Sequence, residues 1–183
     1  MFKKKMQWVI LAFVLFVGGF MYVQSDHEWA LTQRAMTEVA EGVYEGEQFP
    51  SFTLENVDGE EVVVTADHDE RMLLFFFTSW CHVCSNQWEQ ISIANDEGLL
   101  ENVTIVPVNL TSSEQSEGDV GQYIEQLPVP SANVLLDRDG DVQDKYEVFG
   151  VPTVLFLNEE GVIEKRSHGL ITLDDFRESD FFH

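Results

Sequence analysis

Met72-Leu-Leu-Phe-Phe-Phe-Thr-Ser-Trp-Cys-His-Val-Cys84 is the stretch on which the reading of this chain turns. Its first six residues are all apolar, which predicts a strand covered on both faces. From Cys84 onward the apolar positions become Trp88, Ile91 and Ala94, the spacing of a helix. Cys81 and Cys84 therefore fall where a buried strand hands over to a helix. A thiol at a helix N-terminus faces unpaired backbone N–H groups and the positive end of the helix dipole, and both stabilise its thiolate. Cys81, at the mouth, can attack a partner's disulfide, and Cys84, one turn further in, can resolve the mixed disulfide. These are the only two cysteines in the chain. As an inert staple the pair would constrain little, because the loop it closes is so short. Zinc needs about four ligands, and a second cysteine pair is missing. The favoured chemistry is cycling between dithiol and disulfide, with no cofactor beyond the pair itself.

Working outward, residues 48–55 and 61–65 read as a hairpin closed by Asn56-Val-Asp-Gly59, where glycine takes positive φ without a Cβ clash. Residues 103–110 read as the next strand and 119–127 as a short helix. A strand at 133–136, a short helix around 142–146, a strand at 153–157, a turn at 158–161 and a strand at 162–165 follow. A helix over 172–182 closes the chain, with Thr172 as its N-cap. This alternation predicts an α/β domain, with helices on both faces of one sheet.

Trp80-Cys81-x-x-Cys84 after a strand, together with Gly150-Val-Pro-Thr153 opening a later strand, resembles the thioredoxin superfamily. The leading hairpin, the acidic turn Asp137-Arg-Asp-Gly-Asp141 and Tyr146-Glu-Val-Phe-Gly-Val-Pro-Thr153 narrow the likeness. They resemble the membrane-anchored, extracytoplasmic thiol-disulfide oxidoreductases of the bacterial cytochrome c maturation type, with a redoxin (AhpC/TSA-like) domain. The likeness spans about residues 46–183. It implies a thioredoxin fold, a central mixed sheet flanked by helices with an N-terminal β-hairpin extension. It also implies that Pro152 is cis and lies beside the cysteines, so that Val151 offers its backbone to an extended substrate segment. Trp80 would cover the site. The implied substrates are exported cysteine-containing proteins such as apocytochrome c, and the implied electron source is a relay protein in the membrane.

Three departures from the family pattern bear on direction. Val83 stands where many relatives carry proline. Gln87 stands where a glutamate thought to tune proton transfer is common, and an amide cannot titrate, which leaves as acid–base partner water, a different carboxylate such as Glu89 (itself read as a solvated surface charge), or none. His82, between the cysteines, would when protonated favour the Cys81 thiolate and make the disulfide a stronger oxidant. The favoured direction is reductase, with a disulfide-forming oxidase or a copper-binding delivery module as the alternatives.

The amino end sets the compartment. Lys3, Lys4 and Lys5 precede 20 uncharged residues, 6–25, long enough for a helix of roughly 30 Å, the thickness of a bilayer core. The lysines before it and the acids after it predict a cytoplasmic amino end and an external body. A cleaved secretory peptide would show an Ala-x-Ala-like site, and none is good here. The expected order is a cytoplasmic end at 1–5, a membrane-spanning signal anchor at 6–25, a juxtamembrane spacer at 26–45 and the thioredoxin-like domain at 46–183. The chain carries 10 basic and 33 acidic residues, a net −23, of which −26 falls after residue 25. So anionic a body excludes nucleic acid as a partner.

Weaker signals have blander readings. Asp137, Asp139, Asp141 and Asp144 look like a calcium loop, but the glycine falls at the fourth position rather than the sixth. Thr78-x-x-Cys81 matches part of a peroxidase signature whose proline position is Leu74. His168 invites comparison with copper-delivery proteins of similar fold, whose cysteines are spaced differently; a surface histidine accounts for it.

Overall fold

The six apolar residues form an interior strand of a seven-stranded sheet, paired on both edges. The computed structural model describes Trp8, Phe13–Val17, Phe20 and residues 39–66, 70–127 and 134–182. Residues 1–38 form a unit of their own, in which the described residues are helical with exposed side chains. Most of the expected anchor and spacer lies outside the described residues. Among the described residues no helix is long and apolar enough to cross a membrane.

The strands are β1 (Phe52–Asn56), β2 (Glu61–Val64), β3 (Arg71–Phe77), β4 (Val103–Asn109), β5 (Leu135–Leu136), β6 (Thr153–Leu157) and β7 (Ile163–His168). They lie in the order β2-β1-β5-β4-β3-β6-β7. Pairings β3–β4 and β4–β5 are parallel and the rest antiparallel, so the sheet is mixed, as the thioredoxin fold requires. The helices are α1 (His82–Asp96), α2 (Glu117–Ile124), α3 (Asp141–Lys145) and α4 (Leu173–Glu178).

The period-two geometry of a strand explains why β3 must be apolar throughout. Leu73, Phe75 and Phe77 enter a core with Trp88, Ile91 and Phe176. Met72, Leu74 and Phe76 enter the opposite core with Phe52, Tyr146 and Val148. β6 divides likewise, Val154 and Phe156 to the first core and Leu155 and Leu157 to the second. Each such side chain contributes roughly 1.5–3 kcal/mol by leaving water. The second core is fastened by Tyr146, whose hydroxyl donates to the Pro50 carbonyl. Its ring meets Phe52 edge-on at 5.6 Å. Burial pushes the Tyr146 phenol well above its ordinary range, so it stays a neutral donor.

Several expected elements differ in extent: the first strand starts at Phe52 rather than Gln48, and the helix expected at 119–127 spans Glu117–Ile124. The strand at 133–136 is only Leu135–Leu136, because β4 offers it just Val108 and Asn109 as partners. The last strand runs three residues further, to His168, alongside β6. The closing helix stops at Glu178; Ser179 takes extended backbone and a 3-10 turn, Asp180–Phe182, follows. That break lets Phe181 and Phe182 pack on Phe156 at 5.1 and 5.8 Å. Thr172 is the N-cap, in a reciprocal capping box with Asp175. The acidic stretch, expected as a solvated turn rather than a calcium loop, opens α3, and its Asp137 is buried. Asp137 accepts the backbone N–H groups of Val142 and Gln143 at 3.3 and 2.7 Å, and Gly140 turns the chain at φ 80°.

Candidate active site

β3 ends at Phe77, and Thr78, Ser79 and Trp80 carry the chain to Cys81, which caps α1. The Cys84 N–H donates to the Cys81 sulfur at 3.1 Å. That sulfur therefore occupies the place where an N-cap oxygen usually sits. When the pair is reduced, the same N–H and the helix dipole favour a thiolate on Cys81. In the structure Cys81 and Cys84 are joined as a disulfide across one turn, with Cα atoms 5.2 Å apart. Cys81 keeps 7% of its surface exposed and Cys84 none. An incoming thiol or disulfide thus meets Cys81 first, and Cys84 is left to resolve.

The second loop reaches the site from β6. The Val151–Pro152 bond is cis. The Val151 carbonyl oxygen lies 3.7 Å from the Cys81 sulfur. Thr153 fixes this loop from behind, its hydroxyl 2.7 Å from the Gly150 carbonyl and 3.0 Å from His168 Nδ1. With the hydroxyl hydrogen directed at Gly150, His168 donates its Nδ1–H to the same oxygen. The Gly169 N–H holds the Pro152 carbonyl at 2.9 Å. His168 is therefore a brace for the proline loop, a role its spacing from the cysteines did not reveal. Just upstream, Arg166 donates to the carbonyls of Val43, Tyr146 and Glu147 at 2.8–3.0 Å. Glu147 itself takes positive φ. Phe149, on the outer side of this turn, is 91% exposed.

The structure brings Cys81, Cys84, Val151 and Pro152 together. Trp80 lies beside them, 60% exposed, with its indole N–H donating to the Ser113 carbonyl at 3.2 Å. His82 and Val83 face outward on the first turn of α1. Gln87 points inward and is fully buried. Its amide NH2 donates to the Ile171 carbonyl at 3.1 Å, and its oxygen accepts the Ile171 N–H at 2.7 Å. An amide is the right group there, since it offers a donor and an acceptor at once. Gln90 accepts the Leu173 N–H at 2.8 Å one turn later, while Glu89 is exposed. Glu114 went unremarked in the sequence, yet its carboxylate accepts both the N–H and the hydroxyl of Ser79. Nothing in its residue type marked it out among 33 acids. The signal that could have found it is topological: parallel β3 and β4 must end side by side, so the loop after β4 adjoins the cysteines. Among the described residues no three His, Cys, Asp or Glu side chains are grouped to hold a metal ion.

Comparison with known proteins agrees with this geometry. Residues 46–166 match the family model AhpC/TSA. Sporulation thiol-disulfide oxidoreductase A of Bacillus subtilis is 31% identical over 129 residues, which is 69% of this chain and 76% of that protein. The crystal structure of StoA from Bacillus subtilis superposes with a TM-score of 0.59 at 30% identity, covering 70% of this chain and 95% of that one. The pneumococcal exposed lipoprotein thioredoxin of Streptococcus pneumoniae gives 0.59 at 25% identity, covering 70% and 96%.

Proposed function

This chain belongs to the AhpC/TSA family, and from that premise we propose that it is a thiol-disulfide oxidoreductase working outside the cytoplasm as a reductase of disulfides in exported proteins. The observation that carries the reading is the asymmetric pair, Cys81 at the surface and Cys84 buried behind it, opposite the cis Val151–Pro152 bond.

In the reduced protein the Cys81 thiolate attacks one sulfur of the substrate disulfide. The new bond joins Cys81 to that sulfur, and the other substrate sulfur leaves as a thiolate that takes a proton. Cys84 then gives up its proton and attacks the Cys81 sulfur. The intramolecular disulfide closes, and the second substrate thiol departs. Two electrons and two protons have passed to the substrate. Val151 and Pro152 hold the substrate segment, as an added strand would be held, and Trp80 shields the exchanging sulfurs. His82 lies at the helix mouth, where a positive charge would assist the Cys81 thiolate. Gln87, an amide, takes no proton in the cycle. No cofactor is needed beyond the disulfide.

The finer assignment is a single-pass anchor at residues 6–25 with the amino end in the cytoplasm, supported by the lysine triplet and the uncharged run. A membrane relay protein re-reduces the pair, and apocytochrome c, with cysteines that must be reduced before haem attachment, is the substrate the resemblance favours. The reduction potential of the Cys81/Cys84 couple tests the direction. A value near or below about −250 mV is expected for a reductase, and one near −120 mV would assign the chain to disulfide formation instead.

A further inference from the structure

Glu114 follows the 3-10 turn Thr111–Ser113, just beyond the end of β4. Its Oε1 accepts the Ser79 N–H at 2.5 Å and the Asn109 side-chain NH2 at 2.8 Å. Its Oε2 accepts the Ser79 hydroxyl at 2.6 Å. The preceding residue, Ser113, holds the Trp80 indole through its carbonyl. Two consecutive residues of one turn thus fasten the two residues immediately before Cys81. The parallel register that sets Phe77 opposite Asn109 brings the turn there.

The same carboxylate is felt beyond the second cysteine. The Tyr123 hydroxyl pairs with the hydroxyl of Ser85, the residue after Cys84, at 3.1 Å. Burial raises the Tyr123 phenol above its ordinary value, the Ser85 hydrogen bond opposes this, and the charge of Glu114 adds to the rise. A half-buried negative charge is therefore fixed beside the first turn of α1, where the exchanging thiolate must form.

We propose that Glu114 is a positioning residue of the exchange site, and that its charge opposes the thiolate of Cys81 and so biases the Cys81/Cys84 couple toward electron donation. A like charge disfavours an ionised neighbour. Raising the free energy of the thiolate raises that of the dithiol state relative to the disulfide, so the reduced protein gives up its electrons more readily. The influences on Cys81 are then of both signs: the α1 dipole favours the thiolate and Glu114 opposes it. The other titratable groups on the surrounding elements are His82, Glu89 and Asp96 on α1, Glu117, Asp119 and Tyr123 on α2, and Glu164, Lys165, Arg166 and His168 on β7. The proposal rests on the disulfide-exchange reading and adds a determinant of its direction.

Glu114→Gln isolates the charge. The amide oxygen keeps the Ser79 N–H and Asn109 bonds, and the new NH2 can donate to the Ser79 hydroxyl oxygen. The full-length protein is equilibrated with glutathione: the Cys81–Cys84 bond breaks, two glutathione thiols pass their protons and two electrons to the pair, and one glutathione disulfide forms. The equilibrium constant for this reduction should rise about threefold to tenfold in Glu114→Gln, matching half to one unit of thiolate stabilisation. The pH at half-maximal alkylation of Cys81 should fall by the corresponding half to one unit. Glu114→Ala should in addition slow mixed-disulfide formation and change Trp80 fluorescence as the clamp is lost. A Glu114→Gln protein identical to wild type in both the equilibrium and the alkylation profile overturns the proposal, whatever Glu114→Ala does to thermal stability. Failure of the exchange reading itself would look different: a Cys81→Ser protein would match wild type in exchanging disulfides.

Discussion

The loop that carries Cys81 and the loop that carries Pro152 meet at one disulfide, but they are secured differently. Ser79 and Trp80 are held from the neighbouring turn by a carboxylate and a carbonyl, Glu114 and Ser113. Gly150 and Pro152 are held by a hydroxyl and a backbone N–H, those of Thr153 and Gly169. A carboxylate sits on the side where electrons and protons move; on the side that receives the substrate backbone the charged brace is a guanidinium, that of Arg166, on the turn upstream. The contrast teaches that this site separates tuning from docking. A change on the first loop should move the chemistry, and one on the second should move stability and substrate grip.

Gln87→Leu, which cuts the tie from α1 to the Ile171 backbone two residues beyond Gly169, should cost the most stability. It leaves the Ile171 N–H and carbonyl buried without partners, at about 1–3 kcal/mol for each. Denaturant unfolding should show a loss of roughly 2–6 kcal/mol, and the glutathione equilibrium should stay near wild type. A large change in that equilibrium would erase the contrast between the loops. Thr153→Val keeps the shape and removes the hydroxyl that serves Gly150 and His168. It should cost about 1 kcal/mol and raise KM for a disulfide peptide more than it lowers kcat. An unchanged KM would show that the brace does not serve docking.

Much of the fold could be read from the residues, because β3 and β6 are buried on both faces and must be apolar along their whole length. The hairpin turn at Asp58-Gly59 and the Thr172 cap were equally legible, since a local backbone need dictates the residue. The extent of β5 and of the closing helix was not. Those are set by partners far away in sequence, the last two residues of β4 for one and Phe156 for the other. In the site, the cysteines and the proline were recognisable as motifs. Gln87 was visible as a departure from a family pattern, but its partner is 84 positions away. Glu114 and His168 carry no local signature at all; they matter because strand pairing brings them to the end of the sheet where Cys81 emerges.

The most direct test of the central claim, that Cys81 attacks and Cys84 resolves, uses the full-length Cys84→Ser protein in detergent. After incubation with oxidised glutathione it is weighed by mass spectrometry and mapped by peptide. It should accumulate one glutathione per chain, on Cys81, whereas the wild type should release it and close its own disulfide. Cys81→Ser should accumulate almost none on the buried Cys84. A Cys84→Ser protein that acquires no adduct, or a Cys81→Ser protein that acquires one as fast, would contradict the assignment.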